Sequence, residues 1–141
     1  MQYGGMEYGM RPDAIEQERE AMARNALEVL AGRGIGDFRV ELVEGYENPE
    51  PVTVPVLDVP MTADIHAQDD SQAPILAVVE PSTDLGEALC GRRWQALHAW
   101  LEQHGGQLLV FVHPEDAERA REIARHWHLD PSLVEPLPRR H

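Results

Sequence analysis

The chain has 141 residues, the length of one domain that can bury its own hydrophobic core. Its single cysteine excludes a disulfide framework and a cysteine-based zinc cluster, and no apolar run reaches the length of a membrane span. All 12 basic residues are arginines against 25 acidic residues, so the net charge is −13 and lysine-dependent chemistry is excluded.

The chain divides into a short lead-in, one domain and a tail. Residues 1–11 are rich in Gly, Met and Tyr without periodicity, which predicts a flexible N-terminal segment. They also lack a basic stretch followed by an apolar core, so we expect a cytoplasmic protein with no secretory signal and no membrane contact. Residues 12–138 form the predicted α/β domain, and residues 139–141 form the tail.

A helix and two strands are predicted in the first part of the domain. Apolar residues recur at helical spacing over residues 13–31, with Asp13 as a plausible N-cap. Residues 37–43 alternate between apolar and polar side chains, which predicts a half-exposed strand. Residues 52–59 are predicted as a second strand, paired antiparallel with the first. Residues 61–66 are compatible with its continuation after a bend.

The organising feature of the chain is the unbroken apolar run from Ile75 to Val79, which predicts a strand buried on both faces of a sheet. This run ends on Glu80. Asp84 and Glu87 follow at capping-box spacing and predict the start of a helix. Because α/β domains often build sites where buried strands end beside helix N-termini, we expect Glu80 at the functional edge of the sheet.

The rest of the chain predicts two helices and two more strands. Residues 85–104 and the residues after Pro114 are predicted helices, residues 107–113 are a second continuous apolar strand, and residues 133–137 are a short last strand. Because one helix joins the two apolar strands, we expect them to be adjacent and parallel. The order αβββαβα(β) therefore predicts an α/β fold, a three-layer domain with a mixed central sheet.

In this order an Asp stands one strand before an acid-bearing central strand, and the next helix carries a Gln followed by an aromatic residue. This arrangement resembles the PD-(D/E)XK nuclease-like (restriction-endonuclease-like) superfamily. The residues that carry the resemblance are Asp64, Glu80, Gln95 and Trp100, and it extends from the first helix to the last. Members of the superfamily hold divalent metal between an Asp and a Glu, and a lysine orients the attacking water. The resemblance implies that Asp64 and Glu80 are catalytic ligands of Mg²⁺ or Mn²⁺, that Ser82 stands at the lysine position, and that the partner is nucleic acid bound through the metal.

The register of the motif leaves two alternatives open, because strand residues two apart share a face. If Glu80 takes the acid position, Ser82 takes the lysine position. If Glu80 takes the lysine position, Val78 replaces the acid. In both registers a lysine-free chain cannot complete the triad of Asp, acid and lysine. We therefore expect a degenerate member of the superfamily with weak or undetectable cleavage of DNA or RNA.

Five further side chains are candidates for lining the same edge. His66 lies two residues after Asp64 and can share its face of a strand, and His113 ends the second apolar strand. Arg92 and Arg93 are the basic pair nearest the site and could meet phosphate or pair with acids. Gln95 completes the group. Each of these side chains also has an alternative, purely structural interpretation, as a strand end, an ion-pair partner or a helix surface residue.

The acidic charge supports a second hypothesis. Residues 37–87 contain 12 acidic residues and one basic residue, Arg39, so their field repels a phosphate backbone unless a divalent metal neutralises it. The alternative is therefore a non-catalytic acidic domain that binds a basic protein partner or keeps the protein soluble. The missing lysine and the net charge favour this alternative, whereas the order of elements and the placement of the acids favour the nuclease.

Overall fold

A mixed sheet with helices on both faces forms the centre of the domain. The computed structural model describes residues 12–54 and 59–139. The predicted flexible segment, residues 1–11, lies outside the described residues. In chain order the elements are α1 (Pro12–Gly32), β1 (Gly36–Val40), β2 (Val52–Val54), β3 (Val59–Met61), β4 (Ile65–Gln68), β5 (Pro74–Glu80), α2 (Glu87–His104), β6 (Gln107–Val112), α3 (Ala117–His126) and β7 (Val134–Pro136).

The main sheet has the strand order β1-β4-β5-β6-β7. Its first pairs, β1 with β4 and β4 with β5, are antiparallel, whereas β5, β6 and β7 are parallel neighbours. The β5–β6 register runs from Ile75 opposite Gln107 to Glu80 opposite Val112. The mixed sheet and the parallel pairing of the two apolar strands are confirmed.

Each face of the sheet is covered by a different helical layer. Val79 and Phe111 point to the face that α1 covers, and Val78 and Val110 point to the face that α2 and α3 cover. All four side chains are completely buried, which explains why β5 and β6 are continuously apolar rather than alternating. The three-layer prediction is therefore confirmed. None of the helices within the described residues is both long enough and apolar enough to cross a membrane.

The predicted pairing of the first two strands is wrong. Residues 52–54 and 59–61, as β2 and β3, form an antiparallel pair separate from β1, with Val52 opposite Met61. The neighbour of β1 is β4, whose Ile65 and Ala67 are completely buried. Burial explains the outcome, because β4 places two side chains in the core under α1 while β2 packs against α2 through Val52.

The predicted N-terminal cap of the second helix is also wrong. Helix α2 begins at Glu87 after Gly86, which makes no side-chain cap. Asp84 lies instead in a 3₁₀ turn, Ser82–Asp84, and its carboxylate accepts a hydrogen bond from Arg19 on α1. Asp84 thus lies two residues before the N-cap Gly86, and its carboxylate pairs with Arg19 instead of the first turn of α2.

Candidate functional site

The two predicted metal ligands, Asp64 and Glu80, converge at one edge of the main sheet. Asp64 immediately precedes β4 and Glu80 ends β5, and antiparallel pairing brings these strand ends together. One guanidinium reaches both carboxylates: Arg93 Nη2 lies 3.3 Å from Asp64 Oδ1, and Arg93 Nη1 lies 3.8 Å from Glu80 Oε2. Both acids are buried, with side chains 5% and 4% exposed.

Asp64 is held by three donors from three parts of the chain. Its Oδ2 accepts a hydrogen bond from the backbone N–H of Val79 at 2.8 Å. Its Oδ1 accepts from Arg19 at 3.0 Å and from Arg93 at 3.3 Å. Arg93 is itself oriented by the carbonyl of Thr62, to which it donates at 3.0 Å. The Asp64 carboxylate therefore links α1, the end of β5 and α2.

Glu80 contacts α2 on the side of Trp94 and Arg93. Its Oε2 accepts a hydrogen bond from the indole N–H of Trp94 at 2.9 Å. Burial raises the pKa of Glu80 above its ordinary value, although the Trp94 hydrogen bond and the charge of Arg93 act in the opposite direction. Cys90 lies nearby, and burial together with the charge of Glu80 raises the pKa of its thiol to about 11. The thiol is therefore protonated near neutral pH.

Five side chains form the acid–arginine cluster: Asp64, Glu80, Asp84, Arg19 and Arg93. Arg19 joins the buried Asp64 to Asp84, with 3.0 Å to each carboxylate. The arginine side chains are 20% and 26% exposed, so the cations lie between the buried acids and the solvent. The cluster thus presents guanidinium groups to the outside and keeps Asp64 and Glu80 behind them.

The carboxylate oxygens of this cluster do not form a site that fits a Mg²⁺ or Mn²⁺ ion. Mg²⁺ needs a near-octahedral shell of oxygens and keeps several waters when it is bound by one or two carboxylates. Here the oxygens of Asp64 and Glu80 already accept hydrogen bonds from a backbone amide, two guanidinium groups and an indole. In the part of the chain that the structure describes, no group of three or more His, Cys, Asp or Glu side chains could hold a metal.

Three other predicted site residues lie outside the cluster. Ser82, at the predicted lysine position, is exposed, and its hydroxyl donates a hydrogen bond to Asp116. Arg92 is exposed on α2. Gln95 donates to the carbonyl of Trp127 at 3.1 Å and so ties α2 to the end of α3.

The two predicted histidines line separate cavities. His66 packs edge-on against Trp100, with 6.3 Å between ring centroids, and its Nδ1 is buried without a hydrogen-bond partner. Burial lowers the pKa of His66, and Arg39 adds to this effect. His113 follows β6, and its Nε2 lies 2.8 Å from a carboxylate oxygen of Glu18. Neither histidine is among the partners of the acid–arginine cluster described above.

Sequence reasoning missed Arg19 and the role of Trp94. Arg19 stands in the apolar stripe of α1, four residues after Ile15 and three before Met22. A charged residue in the middle of a buried stripe indicates a buried charged partner, because an unpaired buried charge is very costly. The position of Arg19 within the apolar stripe is therefore the feature of the sequence that indicates a buried partner.

No protein-family model matches this chain, and comparisons with curated proteins and with solved structures give no match. The fold and the cluster define the chain as an α/β domain with a mixed sheet and a buried acid–arginine cluster at one sheet edge.

Proposed function

We propose that this chain is a catalytically silent, restriction-endonuclease-like domain that acts by binding a basic protein partner. The observation that carries the proposal is the guanidinium of Arg93, which contacts the two buried carboxylates expected to hold metal. The order of α1, β1, β4, β5, α2 and β6 supports the resemblance, because the acids stand where β4 begins and β5 ends. The arginines thus take the place of the metal.

The cluster opposes metal-dependent cleavage for energetic reasons. A divalent ion would have to displace Arg93 from Asp64 and Glu80 and give up part of its own water shell, and Mg²⁺ loses its water reluctantly. A phosphate group would then have to reach carboxylates that are 5% and 4% exposed. Arginine cannot donate a proton near neutral pH, so Arg93 does not replace the missing lysine as an acid. These costs favour a binding role.

Exposed carboxylates favour a basic protein over nucleic acid as the partner. The segment between β1 and β2 exposes Glu41, Glu44, Glu47 and Glu50. Arg39 contacts two of them, at 3.2 Å from Glu47 and 4.0 Å from Glu50, which leaves a net negative surface. Such a surface repels a phosphate backbone and attracts basic proteins by long-range steering.

Metal binding and cleavage are expected to be undetectable. Millimolar Mg²⁺ or Mn²⁺ should change the melting temperature no more than NaCl of equal ionic strength, and free Mn²⁺ should keep its EPR signal when the protein is added. Linear DNA and RNA should stay intact. The doubly substituted Asp64→Asn, Glu80→Gln protein is the matched control, and the added ions should change its melting temperature and the Mn²⁺ EPR signal no more than they do with the unmodified protein. A Mn²⁺ response that this variant loses, or cleavage abolished by Glu80→Ala, would contradict the proposal.

The partner surface is tested with two sets of charge-neutralising substitutions. Replacing Glu41, Glu44, Glu47 and Glu50 with glutamine should weaken binding of a short oligoarginine peptide by about tenfold or more, because four attractive charges are lost from one surface. The control set removes the same net charge elsewhere, at Glu87, Glu102, Glu118 and Glu122, which are also exposed. Isothermal titration calorimetry at low salt compares the affinity of the two substituted proteins for the peptide. Equal losses in both sets would show that only net charge matters and would refute a defined surface.

A further inference from the structure

The cavity that His113 lines is separate from the acid–arginine cluster and lies at the carboxyl ends of the parallel strands. It has a volume of about 370 Å³ and lies between α1, the turn that follows β6 and the chain that follows β7. Its polar wall includes Glu18, His113, Glu115 and Arg139, and its accessible apolar wall is Ala21, Pro114 and Pro138. Open α/β sheets bind ligands at this end of their strands, and the volume is at the lower end of the range for small-molecule sites.

One hydrogen-bonded pair and one ion pair line this cavity. Glu18 and His113 are closely hydrogen-bonded at 2.8 Å, with both side chains 30% exposed. Glu115 and Arg139 are 3.8 Å apart and are 62% and 67% exposed. An exposed ion pair of this kind contributes at most about 1 kcal/mol, so a ligand can take over either charge at little cost.

The chemistry of the wall discriminates between ligand classes. A ligand with one negative charge meets Arg139 but is repelled by Glu18 and Glu115. A ligand with one positive charge meets the carboxylates, but when it pairs with Glu115 it leaves the guanidinium of Arg139 without its partner. A zwitterion can satisfy both signs, with its ammonium at the glutamates and its carboxylate at the guanidinium. Met22 and Leu137 are buried, so the accessible apolar part of the wall is formed by Ala21, Pro114 and Pro138.

We propose that this cavity binds a free α-amino acid with an apolar side chain. Its carboxylate pairs with Arg139, its ammonium group pairs with Glu115, and its side chain lies against Ala21, Pro114 and Pro138. Glu18 stays with His113 and adds negative potential on the ammonium side. The inference is independent of the function proposed above, because it uses none of the residues of the acid–arginine cluster or of the acidic surface.

The experiment compares leucine with two analogues that each lack one charge. Isothermal titration calorimetry with L-leucine, 3-methylbutylamine and 4-methylpentanoate on the full chain should detect binding of leucine and weaker or no binding of the analogues. The side chain is the same in all three, so the comparison isolates the two charges. Leucine that does not bind, or an amine or acid that binds as tightly as leucine, would overturn the proposal.

Variants locate the site. Arg139→Gln and Glu115→Gln should each weaken leucine binding by about tenfold or more, since each removes one charge-assisted contact. The matched control is the exposed pair Arg125 and Glu118 on α3, 3.5 Å apart and 52% and 70% exposed, which lies outside the cavity. Arg125→Gln and Glu118→Gln should leave binding unchanged. Equal effects of both pairs would overturn the assignment to this cavity.

Discussion

Replacing Asp64 with alanine is expected to lower the free energy of unfolding by about 3–4 kcal/mol, because it leaves a buried amide without an acceptor and removes the charge that two arginines share. The amide is the backbone N–H of Val79, and the arginines are Arg19 and Arg93. Urea denaturation at neutral pH measures the change. Asp64→Asn should lose less, because its amide oxygen can still accept the Val79 hydrogen bond.

Asp84 provides the matched control for Asp64. It accepts from the same Arg19 at the same 3.0 Å, but its side chain is 36% exposed whereas that of Asp64 is 5% exposed. Asp84→Ala should therefore cost at most about 1 kcal/mol, as is usual for exposed ion pairs. If both alanine variants lost the same stability, the buried position of Asp64 would not be what holds the cluster together.

Replacing Trp94 with alanine is expected to cost about 3–5 kcal/mol, the usual loss for a large aromatic side chain removed from a core. Trp94 is completely buried, packs among the residues between the sheet and α2, and donates to Glu80. Its loss would leave both a cavity and a buried carboxylate without its indole donor. Urea denaturation followed by circular dichroism measures the effect. Trp94→Phe keeps most of the packing and should lose less.

Trp100 on the same helix is the matched control for Trp94. It is half-buried and stacks on His104, with ring centroids 3.8 Å apart. Trp100→Ala should therefore cost less than half as much as Trp94→Ala, since less apolar surface leaves the core. A loss equal to that of Trp94→Ala would contradict the view that burial against β5 sets the contribution of Trp94.

The central part of the fold was predictable because its signal is local. Ile75–Val79 and residues 108–112 are continuous apolar runs joined by one helix, which is enough to predict parallel neighbours buried on both faces. The short strands were not predictable. β2 and β3 have three residues each, and their positions depend on the contact of Val52 with α2, which no local pattern records.

The candidate site was predictable only in its acids. Glu80 is predictable because it ends a continuous apolar strand, whereas Asp64 is a candidate through the resemblance of its position to the superfamily motif, and the structure brings the two together. Their partners come from far away in the chain, as Arg19 does from 45 residues before Asp64, and side-chain direction decides which atoms meet. The stripe position of Arg19 predicts a buried partner but not which one.

Asp64 also determines how the layers of the domain can separate. Arg19 reaches it from α1 on one face of the sheet, and Arg93 reaches it from α2 on the other face. Neither helix can move away from the sheet without disturbing the same carboxylate. The two layers should therefore behave as one cooperative unit, with the slowly exchanging amides of α1 and α2 opening in the same sub-global unfolding event rather than in succession.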